Sequence, residues 1–145
     1  MFDFVKWILL VHVVTTWYMI GLIWFVQVVH YPLLAAVGRE QFTDYERRHV
    51  ASTTWVVGPP MLLELFSAVF LLWVRPASIE LWLVWVGLIA LLLIWASTFF
   101  LQVPCHEKLS RSFDESAHRQ LVRTNWLRTI AWSIRGLVVI LMQNA

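Results

Sequence analysis

Four stretches of this chain are nearly unbroken runs of apolar residues, and the polar positions inside them recur at helical spacing. A membrane-spanning helix needs about 20 mainly apolar residues at about 1.5 Å rise each. The runs at residues 4–29, 57–74, 79–103 and 121–142 meet that requirement. The second is predicted to start at Gly58-Pro59-Pro60, because proline is accepted in a first helical turn and resisted in a helix interior. A tight "RPAS" turn joins the second and third runs. A 27-residue segment joins the first and second. Within it Phe42, Tyr45 and His49 fall at i, i+3 and i+7, which predicts a short amphipathic helix over Arg39–Ser52. The connection between the third and fourth runs, "PCHEKLSRSFDESAHRQ", contains "SFDES", a predicted cap for a helix leading into the fourth. The predicted architecture is all-α: one domain over residues 1–145, a transmembrane up-down-up-down four-helix bundle with a short amphipathic helix in the first long loop.

Composition strengthens the membrane reading. The chain is 60% hydrophobic with a mean hydropathy of +0.70 and is 14% charged, against about 25% charged in soluble domains. The single Cys excludes an internal disulfide. No small-residue cleavage pattern follows the first run, so no cleavable signal peptide is expected. The net charge of +2 does not point to nucleic acid, since the cations gather in particular loops. The two long loops and the start of the fourth run hold Arg39, Arg47, Arg48, Lys108, Arg111, Arg119, Arg123 and Arg128, whereas Lys6 and Arg75 stand alone at the opposite end. Positive loops stay cytoplasmic. The expected placement is a bacterial inner membrane, with both termini outside and both long loops inside. Trp7, Trp73, Trp82 and Trp85 would mark the outer interface, and Trp55 and Trp126 the inner one.

Polar residues inside the runs then become informative, because in lipid each needs a partner or water. His12, Thr16, Met19, Ile23, Gln27 and His30 share one face of the first run. Glu64 and Ser67 lie one turn apart in the second; Thr98, Gln102 and His106 line the third; Asn125, Arg128, Trp132 and Arg135 line the fourth. Mutual hydrogen bonding would satisfy these stripes. The predicted topology also gathers His30, Glu64, His106, Asn125 and Arg128 at the cytoplasmic end, with His49 on the covering helix. His30, His49, His106 and Glu64 are therefore the candidate metal ligands, since imidazole and carboxylate suit iron or copper. Haem is the alternative cofactor. No recognised short metal motif occurs; "ERRH" places Glu46 and His49 at i, i+3 in the loop helix. Glu107 and His118 are read as solvent-facing, Cys105 as an ordinary thiol and His12 as a packing residue.

"GLIWFVQVVHYPLL", "FTDYERRH", "PPMLLELFSA", "FLQVPCHEKL" and "LVRTNWLRTIAWSIRGLVVIL" together resemble the anthrone oxygenase-like family of small four-span membrane proteins, over nearly the whole chain. By motif position the resemblance covers Pro32, Val103, Pro104, Asn125, Trp126 and Arg128. It implies a membrane-embedded four-helix bundle and, from the family's characterised members, oxygenation of a tricyclic phenolic anthrone to a quinone. His30, His49 and the Cys105-His106-Glu107 sequence depart from the family pattern, which points away from anthrone itself and toward a metal or haem.

The leading expectation is a membrane oxidoreductase or oxygenase acting on a hydrophobic aromatic or quinone-like molecule that enters from the lipid bilayer. Glu64 or a His would act as base, with Asn125 and Arg128 stabilising an oxyanion. Gln27, Gln102, Trp126 and Arg135 are the candidate substrate-binding residues. The alternative is a haem-, metal- or quinone-binding accessory subunit of a larger membrane complex. A homodimer is the other expected assembly. A transporter ranks lower, since the chain has no inverted repeat.

Overall fold

The computed structural model describes residues 2–144, and side chains from residue 4 onward. The described chain is helical, with no strand. Helix α1 (Phe2–Phe25) passes through a π-helical turn (Val26–His30) into the short α2 (Tyr31–Leu34). Helix α3 (Arg39–Val74) is followed by α4 (Leu81–Ser97), a second π-helical turn (Thr98–Gln102) and α5 (Val103–Leu109). Helix α6 (Glu115–Gln143) ends the described chain. Three continuous helical stretches, Phe4–Leu34, Arg39–Val74 and Leu81–Leu109, are long and apolar enough to cross a membrane, as an integral membrane protein requires.

The expected separate amphipathic helix is absent as a distinct element. Residues Arg39 to Val74 form one helix that runs through Pro59 and Pro60. Neither proline can donate to the carbonyl four residues back, so the ladder loses two bonds there. Packing on both sides outweighs that loss: Phe42 and Glu46 are buried before the prolines, and Met61, Glu64, Ser67 and Leu71 after them. At about 1.5 Å per residue the helix is near 54 Å long, well beyond a hydrocarbon core of about 30 Å.

Proline does reshape the other two helical stretches. Pro32 and Pro104 each lie in the first turn of the helix after a π-turn. A proline ring crowds the carbonyl four residues back, here Val28 and Phe100. The backbone widens by one residue instead: the Tyr31 N–H donates to the Val26 carbonyl, and the Val103 N–H to the Thr98 carbonyl. These two turns aim Tyr31 and His106 into the same region, where their side chains meet.

Three apolar layers hold the helices together. Met19, Ile23, Met61, Leu91, Ile94 and Trp132 form one. Tyr31, Leu34, Phe42, Cys105, Leu109 and Leu121 form a second, and Leu71, Ile79, Leu83, Val84, Val138 and Met142 a third. Gly136 lets α1 approach α6 closely, since a Cβ there would stand 2.7 Å from the Ile20 Cδ1. Outward, large apolar groups are bare: Trp55 is 81% exposed and Phe100 78%. Such a surface suits lipid and not water.

The predicted cap for α6 is present. Asp114 accepts from the Ala117 N–H at 2.8 Å and from the Ser116 hydroxyl at 2.7 Å, which satisfies an otherwise free donor of the first turn. The Ser116 hydroxyl and then the Ala117 N–H hold the Asp114 carboxyl below its ordinary value of 3.8. A lowered folded-state pKa gives stability that is complete above the unfolded value and is lost as pH falls through the folded one. Asp114→Ala is therefore expected to lower the apparent Tm in detergent at neutral pH, with the gap to wild type closing below pH 3.8. Parallel pH-dependent thermal scans check this; a gap that persists at acid pH contradicts the cap.

Candidate ligand-binding site

Two polar clusters lie inside the bundle. The deeper one centres on Glu64. The Thr16 hydroxyl and the Arg135 Nε donate to its Oε1 at 2.8 and 2.9 Å, and the Trp132 Nε1 donates to its Oε2 at 3.1 Å. Arg135 also donates to the Gly87 carbonyl and lies 3.5 Å from both the His12 Nε2 and the Thr16 hydroxyl. The other ring nitrogen of His12 is 2.9 Å from the Ser67 hydroxyl. Glu64 and Arg135 are almost wholly buried. This cluster joins α1, α3, α4 and α6, and both carboxylate oxygens are occupied.

The second cluster is built where the π-turns end. The His106 Nδ1 meets the Glu46 carboxylate at 2.5 Å, and its Nε2 lies 3.0 Å from the Tyr31 hydroxyl. A carboxylate only accepts, so the Nδ1 carries the hydrogen. In the neutral ring the Nε2 is then an acceptor, and Tyr31 donates to it. The His30 Nε2 and the His49 Nδ1 are 3.0 Å apart, and the Thr53 hydroxyl is 3.1 Å from that same His49 nitrogen. The His49 and His106 rings lie 5.5 Å apart, centre to centre. The buried His118 holds the backbone here: its Nε2 is 2.8 Å from the Tyr31 carbonyl.

Beside this cluster a cavity of about 640 Å³ opens between the helices. Its apolar wall includes Met19, Ile23, Val26, Met61, Trp95 and Phe99. Its polar end carries Tyr31, His49, Gln102, His106 and Arg128, and Arg47 and Arg111 also line it. Arg128 is buried, and among the described residues it has no carboxylate at ion-pair distance. It donates to the Asn125 side-chain oxygen at 3.2 Å and lies 5.2 Å over the Trp132 ring, within electrostatic reach of the Tyr31 hydroxyl. Among the described residues, the buried side-chain polar atoms without a partner are Glu46 Oε2, Trp95 Nε1 and Arg128 Nε. Trp95 and Arg128 line the cavity, and Glu46 bonds to a residue that does. Buried polar groups are normally satisfied. All three lie in or next to the lining of this one cavity.

Several sequence expectations are relocated by this geometry. Glu64, expected among the histidines as a metal ligand and base, is closed off by Thr16, Trp132 and Arg135. The carboxylate that meets His106 is Glu46, because α3 continues unbroken and carries residue 46 on the same buried face as residue 64. Among the described residues, no three His, Cys, Asp or Glu side chains are placed to share a metal ion, so His30, His49, His106 and Glu64 do not form one ligand set. Arg135 is an ion-pair partner and does not line the cavity. Trp126 lies outside, edge-on to Trp24 at 5.7 Å. Gln27 is buried behind the wall, accepting from Asn125 at 2.9 Å and donating to the Val122 carbonyl at 3.2 Å. Gln102 does reach the cavity, bonded to Ser97 and Thr124. Cys105 is buried against Leu109 and Phe42, and His118, read as solvent-facing, is buried as well. Sequence reasoning missed Tyr31, Glu46 and Trp95. The "ERRH" spacing was the available signal for Glu46; Tyr31 and Trp95 carried none.

No family model, no curated protein and no solved structure matches this chain. The fold is that of a helical protein with three helices long and apolar enough to cross a membrane, and it encloses one large cavity with a polar end.

Removing one member of a buried ion pair strands the other, at a cost of about 3–5 kcal/mol. Glu64→Ala is expected to lose stability on that scale, while Glu64→Ala combined with Arg135→Met loses less than the sum of the two single changes. Denaturation in mixed detergent measures this. Strict additivity would mean that the pair does not act as a unit.

Proposed function

We propose that this protein is a membrane-embedded oxidoreductase that takes a hydrophobic aromatic or quinone-like molecule into the cavity. The observation that carries this reading is Arg128: a buried cation with an unpartnered Nε and, among the described residues, no carboxylate at ion-pair distance, at the polar end of an otherwise apolar pocket. Such a group asks for an oxygen acceptor on a greasy ligand. The Trp95 Nε1, also unpartnered, asks for the same. A planar phenol or quinone has the flat apolar body and the carbonyl or phenolic oxygens to answer both. Gln102 and Asn125 support the polar wall, Gln102 directly and Asn125 by holding Arg128. The resemblance to the anthrone oxygenase-like family leads to the same substrate class, with dioxygen as oxidant. The binding-subunit reading uses the same cavity without turnover.

The proposed setting is a four-span up-down-up-down bundle, with α6 as the fourth span. Cross-helix pairs support it: along the first helical stretch, from α1 into α2, residues 12, 16 and 30 meet α3 at 67, 64 and 49, while residues 27 and 31 meet α6 at 125 and 118. The arginine-rich ends would face the cytoplasm and both termini the outside.

The test uses detergent-purified protein with a short-chain benzoquinone and, separately, anthrone under air. Saturable quinone binding is expected by calorimetry, corrected for micelle partition. Arg128→Gln is expected to weaken it about tenfold or more, since a bond to a charged donor contributes about 1.5–3 kcal/mol. Dioxygen uptake with anthrone, absent in Arg128→Gln, supports the oxygenase; binding without uptake assigns the accessory role. Absence of saturable binding to wild type, or binding indifferent to Arg128→Gln, overturns the reading.

A further inference from the structure

The cavity is bordered by two buried charges that lack full compensation. Among the described residues, Arg128 has no anion at ion-pair distance. Glu46, wholly buried, faces one imidazole with Oε1 and leaves its Oε2 unpartnered. Between them stand His106 and Tyr31, joined by hydrogen bonds in the order Glu46, His106, Tyr31 at 2.5 and 3.0 Å. Tyr31 lines the cavity and lies within electrostatic reach of Arg128. Uncompensated charge is costly to hold in a low-dielectric interior. One proton displacement would compensate both at once.

We infer that Tyr31, His106 and Glu46 form a proton-transfer triad that deprotonates a weakly acidic hydroxyl on the cavity's ligand, which makes that ligand a hydrophobic phenol or hydroquinone. The inference rests on the cavity being the binding site. The ligand's O–H bond breaks and its proton passes to the Tyr31 oxygen. As it does so, the Tyr31 O–H bond breaks and that proton forms a bond to the His106 Nε2. Tyr31 ends neutral, as it began. The ligand becomes an oxyanion and His106 an imidazolium. No electron changes hands, so the step needs no oxidant. Its products are two ion pairs, oxyanion with Arg128 and imidazolium with Glu46, where before there were two unmatched charges. Attraction between opposite charges within about 4–6 Å favours the charged forms of both partners. Tyr31 is the group that touches the ligand; Glu46 is a positioning residue that fixes the ring and holds its charge.

Other groups bear on the triad. His49 of α3 lies beside His106 and bonds to His30, which is partly exposed. This imidazole pair can carry the collected proton toward solvent. Cys105, one residue before His106, is buried against the apolar layer. Lys108 on the same short helix is exposed, and Arg47, Glu107 and Arg111 are exposed residues that line the cavity. Arg128 of α6 is the cation that receives the oxyanion.

The experiment uses 4-nitrophenol, whose phenolate absorbs visibly, and its methyl ether 4-nitroanisole, which has no proton to give. Both are added to the detergent-purified full chain below the pKa of free 4-nitrophenol, with binding followed by micelle-corrected calorimetry. Bound 4-nitrophenol is expected to show the phenolate spectrum, with an apparent pKa lower than the free value by about 1–3. Glu46→Gln keeps the shape of the site and removes its charge; it is expected to leave the probe bound and largely neutral. Tyr31→Phe is expected to do the same, since it cuts the path to His106. If both compounds bind and wild-type 4-nitrophenol stays neutral, the triad is overturned while the binding site stands. If neither binds, the cavity reading fails with it. Phenolate formation undiminished in both Glu46→Gln and Tyr31→Phe would also overturn the triad. The wild-type spectrum decides the question even if a variant does not fold.

Discussion

The buried pair of Glu64 and Arg135 is the constraint on which the rest of the structure depends. One carboxylate and one guanidinium, with Thr16, Trp132, His12 and the Gly87 carbonyl around them, tie four long helices to a common level. Apolar side chains cannot do this in lipid, because leucine gains little by exchanging a lipid neighbour for a protein one. A charge can, because an unpaired one is intolerable there. Gly87 and Gly136 complete the arrangement: one presents its carbonyl to Arg135, and the other admits Ile20 against α6. Such a network also sets register, since sliding one helix by a residue would strand several donors at once.

With the bundle held at that level, its other half is free to be irregular. Two π-turns, each followed one turn on by a proline, lead there into the short helices α2 and α5. The cavity and its unpartnered polar atoms lie on that side. The two clusters thus differ in kind. Around Glu64 every strong donor and acceptor is occupied, as a structural element requires. Around Arg128 they are not, as the proposed binding role requires. Tyr31 links the two roles of its region: its carbonyl accepts from His118, which anchors the backbone, while its hydroxyl meets His106 at the edge of the cavity.

The polar stripes were legible in the sequence, and so was the gathering of His30, His49, His106 and Arg128, because helical periodicity and apolar run length suffice to align them. What misled was depth. Glu64 sits only a few residues after the apparent start of its run, which suggested a wet boundary near the histidines. In fact α3 begins near residue 39, so residue 64 is deep and Glu46 takes the place assigned to it. The same error made Arg39–Ser52 a separate helix. Gly58-Pro59-Pro60 reads locally as the start of a new helix, and tertiary packing on both sides of it prevailed. His118 looked solvated amid charged neighbours, and only the meeting of α6 with the Tyr31 carbonyl buries it.

By itself the sequence determined that the chain is helical, apolar and lipid-facing over most of its surface, and that His12, Glu64, Arg128 and Arg135 inside its apolar runs point inward. Those properties follow from composition and period, which act locally along the chain. Which carboxylate meets which cation was decided only in three dimensions. Glu46 and Glu64 are five turns apart on one helix face, alike in pattern, and nothing nearby in sequence tells them apart. Arg135 reaches one and leaves Arg128 without an anion, because helices far apart in sequence pack at one particular depth. Pairing in a bundle depends on that relative height, and height is a property of the assembled helices.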